Sequence, residues 1–293
     1  MNRTRRIFRT FRSMKKLSVV CALLLLFSGG AFAQKSLLWK VDKKGSQPAY
    51  LFGTIHIFPQ EKFSISDKVG RAFDQSEALV MELSMAPGFE MEMMQQAPMK
   101  NGTSLDDLLT PAELKKLDSA LAVSGMSRMI FNNWKPLLIT SLFYNQFMDG
   151  GVASFELALQ KRALESGKEI HGLETVARQM EVFESIPYAD QAQDMMEMIT
   201  RSDFYRALFD EMVTSYQAED IDKMLELSTR EMDDMKEIEL FLDTRNAEWI
   251  PKMLDLMTTE KVFFAVGAGH LGGDNGLLEL LKKAGCKVTP VMK

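Results

Sequence analysis

Three histidines occur in the 293 residues, and two of them stand in the same setting. Tyr50-Leu51-Phe52 runs into Gly53-Thr54-Ile55-His56, and Phe263-Phe264-Ala265-Val266 runs into Gly267-Ala268-Gly269-His270. In each case an apolar run ends at a glycine and a histidine follows three positions later. Glycine permits a tight turn or a close backbone approach that a Cβ would block. Each imidazole is therefore expected at the mouth of a strand, where α/β sheets bind ligands. A single histidine after a strand is more often a hydrogen-bonded loop or core residue. Its duplication in so histidine-poor a chain turns the reading towards function.

Two carboxylates occupy comparable places. Glu82 follows Ala78-Leu79-Val80-Met81, and Glu174 follows Ile170-His171-Gly172-Leu173. A carboxylate at the end of a buried strand is costly unless it is paired or bound to a metal. Neutral imidazoles with carboxylates make a donor set that suits Zn, Mn, Fe or Co. Each acid also has a plainer reading, Glu82 as an exposed strand-edge acid and Glu174 as an acid favouring the N-terminus of the next helix. Other catalytic patterns are absent: no H-E-x-x-H, G-x-S-x-G, P-loop or paired C-x-x-C. Cys286 falls within a predicted strand and reads as a packed small hydrophobe.

The elements that must carry these residues follow from periodicity. Residues 37–41 and 50–55 predict a hairpin across Lys43-Lys44-Gly45-Ser46. Residues 65–75 are weakly helical, and 78–83 form an apolar strand. From Pro111 to about Met257 the pattern is mostly helical, beginning at the N-cap signature Thr110-Pro111-Ala112-Glu113. Within it, 136–148 reads as a segment buried all round, 154–166 as an amphipathic helix stopped by Gly167, and 169–173 as a short strand. Long helices over 189–216 and 220–257 follow, the second kinked or broken at Pro251. The continuous apolar run 261–266 marks a central strand buried on two sides, and a helix over 277–284 leads to a last strand at 286–291. The fold class is α/β: a mixed β-sheet built from both chain ends, with a large, mostly helical middle segment.

The first residues lie outside that domain. Seven basic residues and no acid precede an 11-residue apolar run at 17–27, too short to span a bilayer. Ala31-Phe32-Ala33 then supplies a cleavage signal. Residues 1–33 are thus expected to be a signal peptide, with translation starting at Met1 or Met14, and 34–293 a single exported domain, periplasmic or extracellular. Val20 is too large for the usual lipoprotein cleavage before Cys21. Removing seven of the 35 basic residues and none of the 40 acids takes the formal charge from −5 to −12. Such an acidic domain argues against nucleic acid or an anionic membrane as partner. With Cys286 the one cysteine left, no intrachain disulfide can form. No later run is long enough to insert stably in a membrane.

Several blocks also occur in a familiar order: Gly53-Thr54-Ile55-His56, Met81-Glu82-Leu83, Trp134-Lys135-Pro136, Gly172-Leu173-Glu174-Thr175 with Gln179, Arg245-Asn246 with Trp249, and Val266-Gly267-Ala268-Gly269-His270-Leu271. Together they resemble the TraB/GumN family, which includes the Tiki proteases and is related to the erythromycin-esterase and ChaN-like proteins. The resemblance implies divalent-metal-dependent hydrolysis of a peptide or protein, with Mn, Co or Zn as the ion. It implies His56 and His270 as ligands, with Glu82 and Glu174 as acidic partners or general base. Relatives carry a Gly-hydrophobic-acid triplet where this chain has Gly151-Val152-Ala153; the acid comes later, at Glu156, which is aligned there as a further ligand. Arg245 resembles a family arginine that could bind a substrate carboxylate, and reads equally as a helix-surface ion pair. Two other functions remain open. One is a non-catalytic peptide-sequestering protein, with the methionine-rich segment 85–99 as an adaptable flap rather than a plain surface hairpin. The other is a metal-independent, esterase-like hydrolase.

Overall fold

Leu38–Asp42 (β1) and Ala49–Thr54 (β2) pair antiparallel, and Gly45 between them takes the positive φ of 83° that favours glycine. The structure is a computed structural model in which residues 35–148, 150–230, 232 and 235–292 are described. The leader expected at residues 1–33 lies outside the described residues. The further strands are Phe58–Pro59 (β3), Ala78–Leu83 (β4), Val152–Ala153 (β5), Glu169–Glu174 (β6), Val262–Gly267 (β7) and Lys287–Pro290 (β8). Six of them form one sheet in the order β6-β4-β7-β2-β1-β8. β6, β4, β7 and β2 run parallel, while β1 and β8 are antiparallel to their neighbours. The sheet is mixed, draws on both ends of the chain and carries a helical middle, the architecture the sequence implies.

β7 is central and buried along nearly its whole length. Phe263 and Ala265 face one apolar core; Val262, Phe264 and Val266 face the other, as the two-residue period of a strand requires. Truncating Phe263 or Phe264 to alanine would cost roughly 3–5 kcal/mol. Four parallel strands therefore end side by side on a rigid frame, and their C-terminal ends share one edge of the sheet.

The helical segment departs from the sequence reading in informative places. The region 189–216 is two helices, Tyr188–Thr200 and Ser202–Gln217. The region 220–257 divides into Ile221–Thr229, Met235–Ile238, a five-residue π-helical turn at Glu239–Asp243, and Thr244–Thr259. Pro251, expected to kink or break the last helix, sits inside it. The carbonyl that loses its donor there belongs to the exposed Ala247 and is left to solvent. The segment 85–99 is no hairpin: Gly88 at φ 97° starts the helix Phe89–Gln96. The helix Pro136–Phe143 is not buried all round, because only Pro136, Ile139 and Phe143 are fully covered. No helix among the described residues is long and apolar enough to cross a membrane.

One feature too short to read from sequence positions the site. β3 and β5 form a two-residue antiparallel ladder, Phe58 opposite Ala153 and Pro59 opposite Val152. It ties the chain just after His56 to the start of the helix Phe155–Glu165, whose first turn carries Glu156.

Candidate functional site

The four parallel strands deliver Glu174, Glu82, His270 and His56 in spatial order at their C-terminal ends, from β6, β4, β7 and β2. His56 follows β2 by two residues. His270 closes a 3₁₀ turn, Ala268–His270, at the end of β7. The glycines of the two motifs do different work. A Cβ on Gly53 would lie 2.7 Å from Leu271 Cδ1 and 3.2 Å from Ala268 Cα, so its absence lets the two turns pack together. A Cβ on Gly267 would lie 3.2 Å from Glu82 Oε1, 3.6 Å from His270 Cδ2 and 3.8 Å from His56 Nε2. Gly267 thus keeps open a space bounded by two imidazoles and a carboxylate.

Each imidazole has a fixed partner on Nδ1. His56 Nδ1 donates to Glu156 Oε1 at 2.8 Å. Glu156 is held in turn by Thr54 Oγ1 at 2.6 Å and Ser154 Oγ at 2.9 Å. His270 Nδ1 lies 2.7 Å from Asn246 Oδ1. Asn246 Nδ2 faces the carbonyls of Asn275 at 3.0 Å and His270 at 3.5 Å. Carbonyls only accept, so the amide must turn its oxygen to the ring and His270 Nδ1 must donate. Both histidines therefore direct Nε2 inward.

Their charges differ. Desolvation by the surrounding protein opposes protonation of His56, but contact with Glu156, helped by Glu82, wins and lifts its pKa to about 9. Its side chain is 65% exposed because one ring edge opens on the cleft, while the walls of the cleft surround it at longer range. At His270, 6% exposed, burial dominates; Glu82 pulls the other way, and Arg245 and His56 add to the lowering, to about 3. Burial disfavours the charge of Glu82, yet His270, Arg245, His56 and the N–H of Gly267 hold its pKa well below the usual carboxylate range. Arg245 is the partner that keeps its charge when His270 is neutral.

Arg245 is not a surface residue. Its guanidinium is buried, and Nη2 bridges Glu82 Oε2 at 2.7 Å and Glu174 Oε1 at 2.6 Å. Nε reaches Glu174 Oε2 at 3.1 Å, so Glu174 is gripped at both oxygens. Nη1 donates to the carbonyl of Phe241 at 2.9 Å and lies 3.3 Å from His270 Nε2. The Trp249 ring packs under both, 4.5 Å from the His270 ring and 4.8 Å from Arg245. Glu82 is buried rather than an exposed edge acid, and Glu174 sits in an ion pair rather than simply facing a helix N-terminus.

The cluster opens into a cleft of about 450 Å³. His56, Glu82, Arg245 and His270 line it together with the apolar Leu137, Leu138, Phe183 and Phe241. Leu137 and Leu138 are among the apolar residues that the helix Pro136–Phe143 leaves partly uncovered. That helix is anchored by Lys135, whose buried ammonium meets the carbonyl of Pro98 at 3.0 Å and Glu184 at 2.9 Å. Gln179 lines the cleft as well. The sequence reading missed Thr54, Ser154 and the orienting role of Asn246; only the Arg-Asn dipeptide gave a signal. Among the described residues, the group of three metal-type donors that lies within 4.8 Å of one another is Glu169, His171 and Glu260, away from the cleft; His56, Glu82 and His270 stand wider apart.

Among curated proteins, the chain is similar to a protein named metalloprotease TIKI homolog from Amphimedon queenslandica, 23% identical over 92% of this chain and 66% of that protein. It is similar to metalloprotease TIKI2 from Danio rerio, 21% identical over 86% of this chain and 60% of that protein. It also resembles human metalloprotease TIKI1, 22% identical over 86% of this chain and 61% of that protein. The chain thus spans 60–66% of the length of these relatives. No solved structure matches it significantly. The profile of the TraB/PrgY/gumN family matches residues 37–290, nearly all of the described fold, and the chain belongs to that family.

Proposed function

We propose that this chain is an exported, divalent-metal-dependent peptidase whose centre is the strand-end cluster of His56, His270 and Glu82. The observation that carries the proposal is the matched presentation of the two imidazoles. Each gives its Nδ1 hydrogen to a fixed partner; His56 Nε2 then borders the space that Gly267 leaves open, and His270 Nε2 lies 3.7 Å from Glu82 Oε1 beside it. Ligating histidines are commonly oriented in this way, by a carboxylate or carbonyl on the other ring nitrogen. The residues fit an ion such as Mn, Co or Zn, which accept imidazole nitrogen and carboxylate oxygen. His56 and His270 would hold it, with Glu82 Oε1 as the carboxylate oxygen bordering the same space. When bound, such an ion polarises a carbonyl and acidifies water. Relatives named metalloprotease support peptide or protein as the substrate.

The remaining residues position and shield. Glu156, bonded to His56, Thr54 and Ser154, is assigned to orient His56 rather than to ligate. Asn246 has the same role for His270. Glu82, held as a carboxylate by Arg245 and the N–H of Gly267, is assigned to offer its oxygen to the ion. Glu174, gripped at both oxygens, fixes Arg245, and Arg245 helps to keep Glu82 ionised. The leader features at 1–33 support export to the periplasm or the outside. The test is peptide hydrolysis by purified protein stripped by chelator and resupplied with Mn, Co or Zn. Activity that returns with the ion in wild type, and not in His270→Ala, is expected. Full activity in chelator sinks the metal.

One contact favours a second reading. Arg245 Nη1 stands 3.3 Å from His270 Nε2, on the lone pair an ion would need. In a metal-independent, esterase-like hydrolase that donor would stay in place, and the His56–Glu156 pair would transfer the proton. Hydrolysis of ester substrates, unchanged by chelation, would select this reading.

A further inference from the structure

At the opposite end of the same parallel strands lies a different set of donors. Glu169 and His171 alternate along β6 and so share one face of the sheet. Leu173, two residues on, belongs with Met253 and Met257 of the helix Thr244–Thr259 to one apolar core, so that face looks towards the helix. Glu260 follows the helix directly. His171 Nε2 is 3.5 Å from Glu169 Oε2 and 3.8 Å from Glu260 Oε2. One donor atom from each of the three residues lies within 4.8 Å of the others.

A second, independent observation concerns the ring nitrogen. His171 Nε2 is a buried atom with no hydrogen-bond partner among the described residues. A buried polar atom left in that state costs free energy, and two flanking carboxylates add like-charge repulsion. The spot also adjoins the C-terminus of a 16-residue helix, where the unsatisfied carbonyls favour positive charge. Neighbouring lysines are engaged elsewhere: Lys261 pairs with Glu77, and Lys168 bonds the carbonyl of Ser76.

We propose that Glu169, His171 and Glu260 form a second divalent-cation site, separate from the strand-end cluster and structural in role. One imidazole with two carboxylates suits Zn²⁺, Co²⁺ or Mn²⁺. Three protein donors leave positions for water, in keeping with the 76% exposure of the Glu169 side chain. The ion would cross-link the edge strand β6, whose far end carries Glu174, to the helix that carries Arg245 and Asn246. Occupancy would then stabilise the frame under the cleft without touching the cleft.

The experiment is a count of Zn²⁺ equivalents bound by the chelator-stripped protein, with the melting temperature followed in parallel. His171→Ala and Glu260→Gln are each expected to bind one equivalent fewer than wild type and to lose part of the zinc-dependent rise in melting temperature. His56→Ala is expected to keep this equivalent. Glu260→Gln preserves side-chain shape, so a folding failure in His171→Ala leaves the count readable. Wild-type stoichiometry in Glu260→Gln and in folded His171→Ala overturns the site, whatever His56→Ala binds. Loss of an equivalent in His56→Ala bears separately on the strand-end cluster.

Discussion

The two Gly-x-x-His turns share spacing, strand context and ring orientation, yet one histidine is charged and the other neutral. His56 opens on the cleft and pairs with a carboxylate 100 residues away; His270 is buried and bonded to an amide 24 residues away. The motif fixes where each ring stands. The surroundings fix what charge it carries: the Glu156 carboxylate stabilises imidazolium at His56, whereas burial without such a partner on Nδ1 keeps His270 neutral. Binding an ion between the rings therefore asks different things of them. His270 is already neutral and needs only Arg245 Nη1 to give way from its Nε2, whereas His56 must first release a proton.

The largest effect expected is on what stands behind both turns. Arg245→Ala leaves Glu82 and Glu174 buried without their shared cation, which should cost roughly 3–5 kcal/mol. Denaturant titration of the variant would show it, and an unchanged midpoint would contradict the buried network. His56→Ala and His270→Ala should each lower hydrolysis by about 10²–10⁴-fold while the fold survives, if both rings work at the reacting centre. Circular dichroism with peptide assays separates that from misfolding. Removing the partners instead of the rings should be milder. Glu156→Gln and Asn246→Ala should each weaken metal affinity or activity by about 10–100-fold. The two changes should differ in kind: Glu156→Gln lowers the pKa of His56 and so diminishes proton release on metal uptake, while Asn246→Ala leaves that release intact.

The contrast also shows in the pH dependence of stability, which should run in opposite directions at the two histidines. The folded-state pKa of His56, about 9, lies above its ordinary 6.5. Its contribution is complete below about pH 6.5 and is lost as pH rises through about 9. The folded-state pKa of His270, about 3, lies below 6.5. Between those values the unfolded chain takes up a proton that the folded chain refuses, so stability falls as pH drops through that window. In chelator, His56→Gln should flatten the alkaline limb of the stability curve and His270→Gln the acidic limb. The same limb changing in both variants would erase the contrast.

Strand ends were legible because they combine an apolar run with a single chemical residue, as at Glu82, Glu174, His56 and His270. The partners were not. Asn246 lies in an amphipathic helix where an amide carries no periodic signal, and Glu156 reaches His56 only through the two-residue ladder of β3 and β5. Arg245 was noticed, but its pairing was not, since burial at the end of a sheet depends on what the helix packs against. The cleft wall was misread for a related reason. Leu137 and Leu138 have the hydropathy of core residues, and sequence does not distinguish an apolar wall facing a cleft from one facing other side chains. The π-helical turn at Glu239–Asp243, which places Phe241 beside Arg245, left no recognisable pattern either.

The most direct measurement is metal content together with proton release. Chelator-stripped protein is titrated with Mn, Co or Zn in weak buffer near pH 7.5, as wild type, His56→Ala and His270→Ala. A shared ion between the two rings predicts that wild type binds one equivalent lost in both variants, releases about one proton from His56 as it does so, and regains peptide hydrolysis on binding. Equal metal content in all three proteins, with hydrolysis indifferent to the ion, would contradict it.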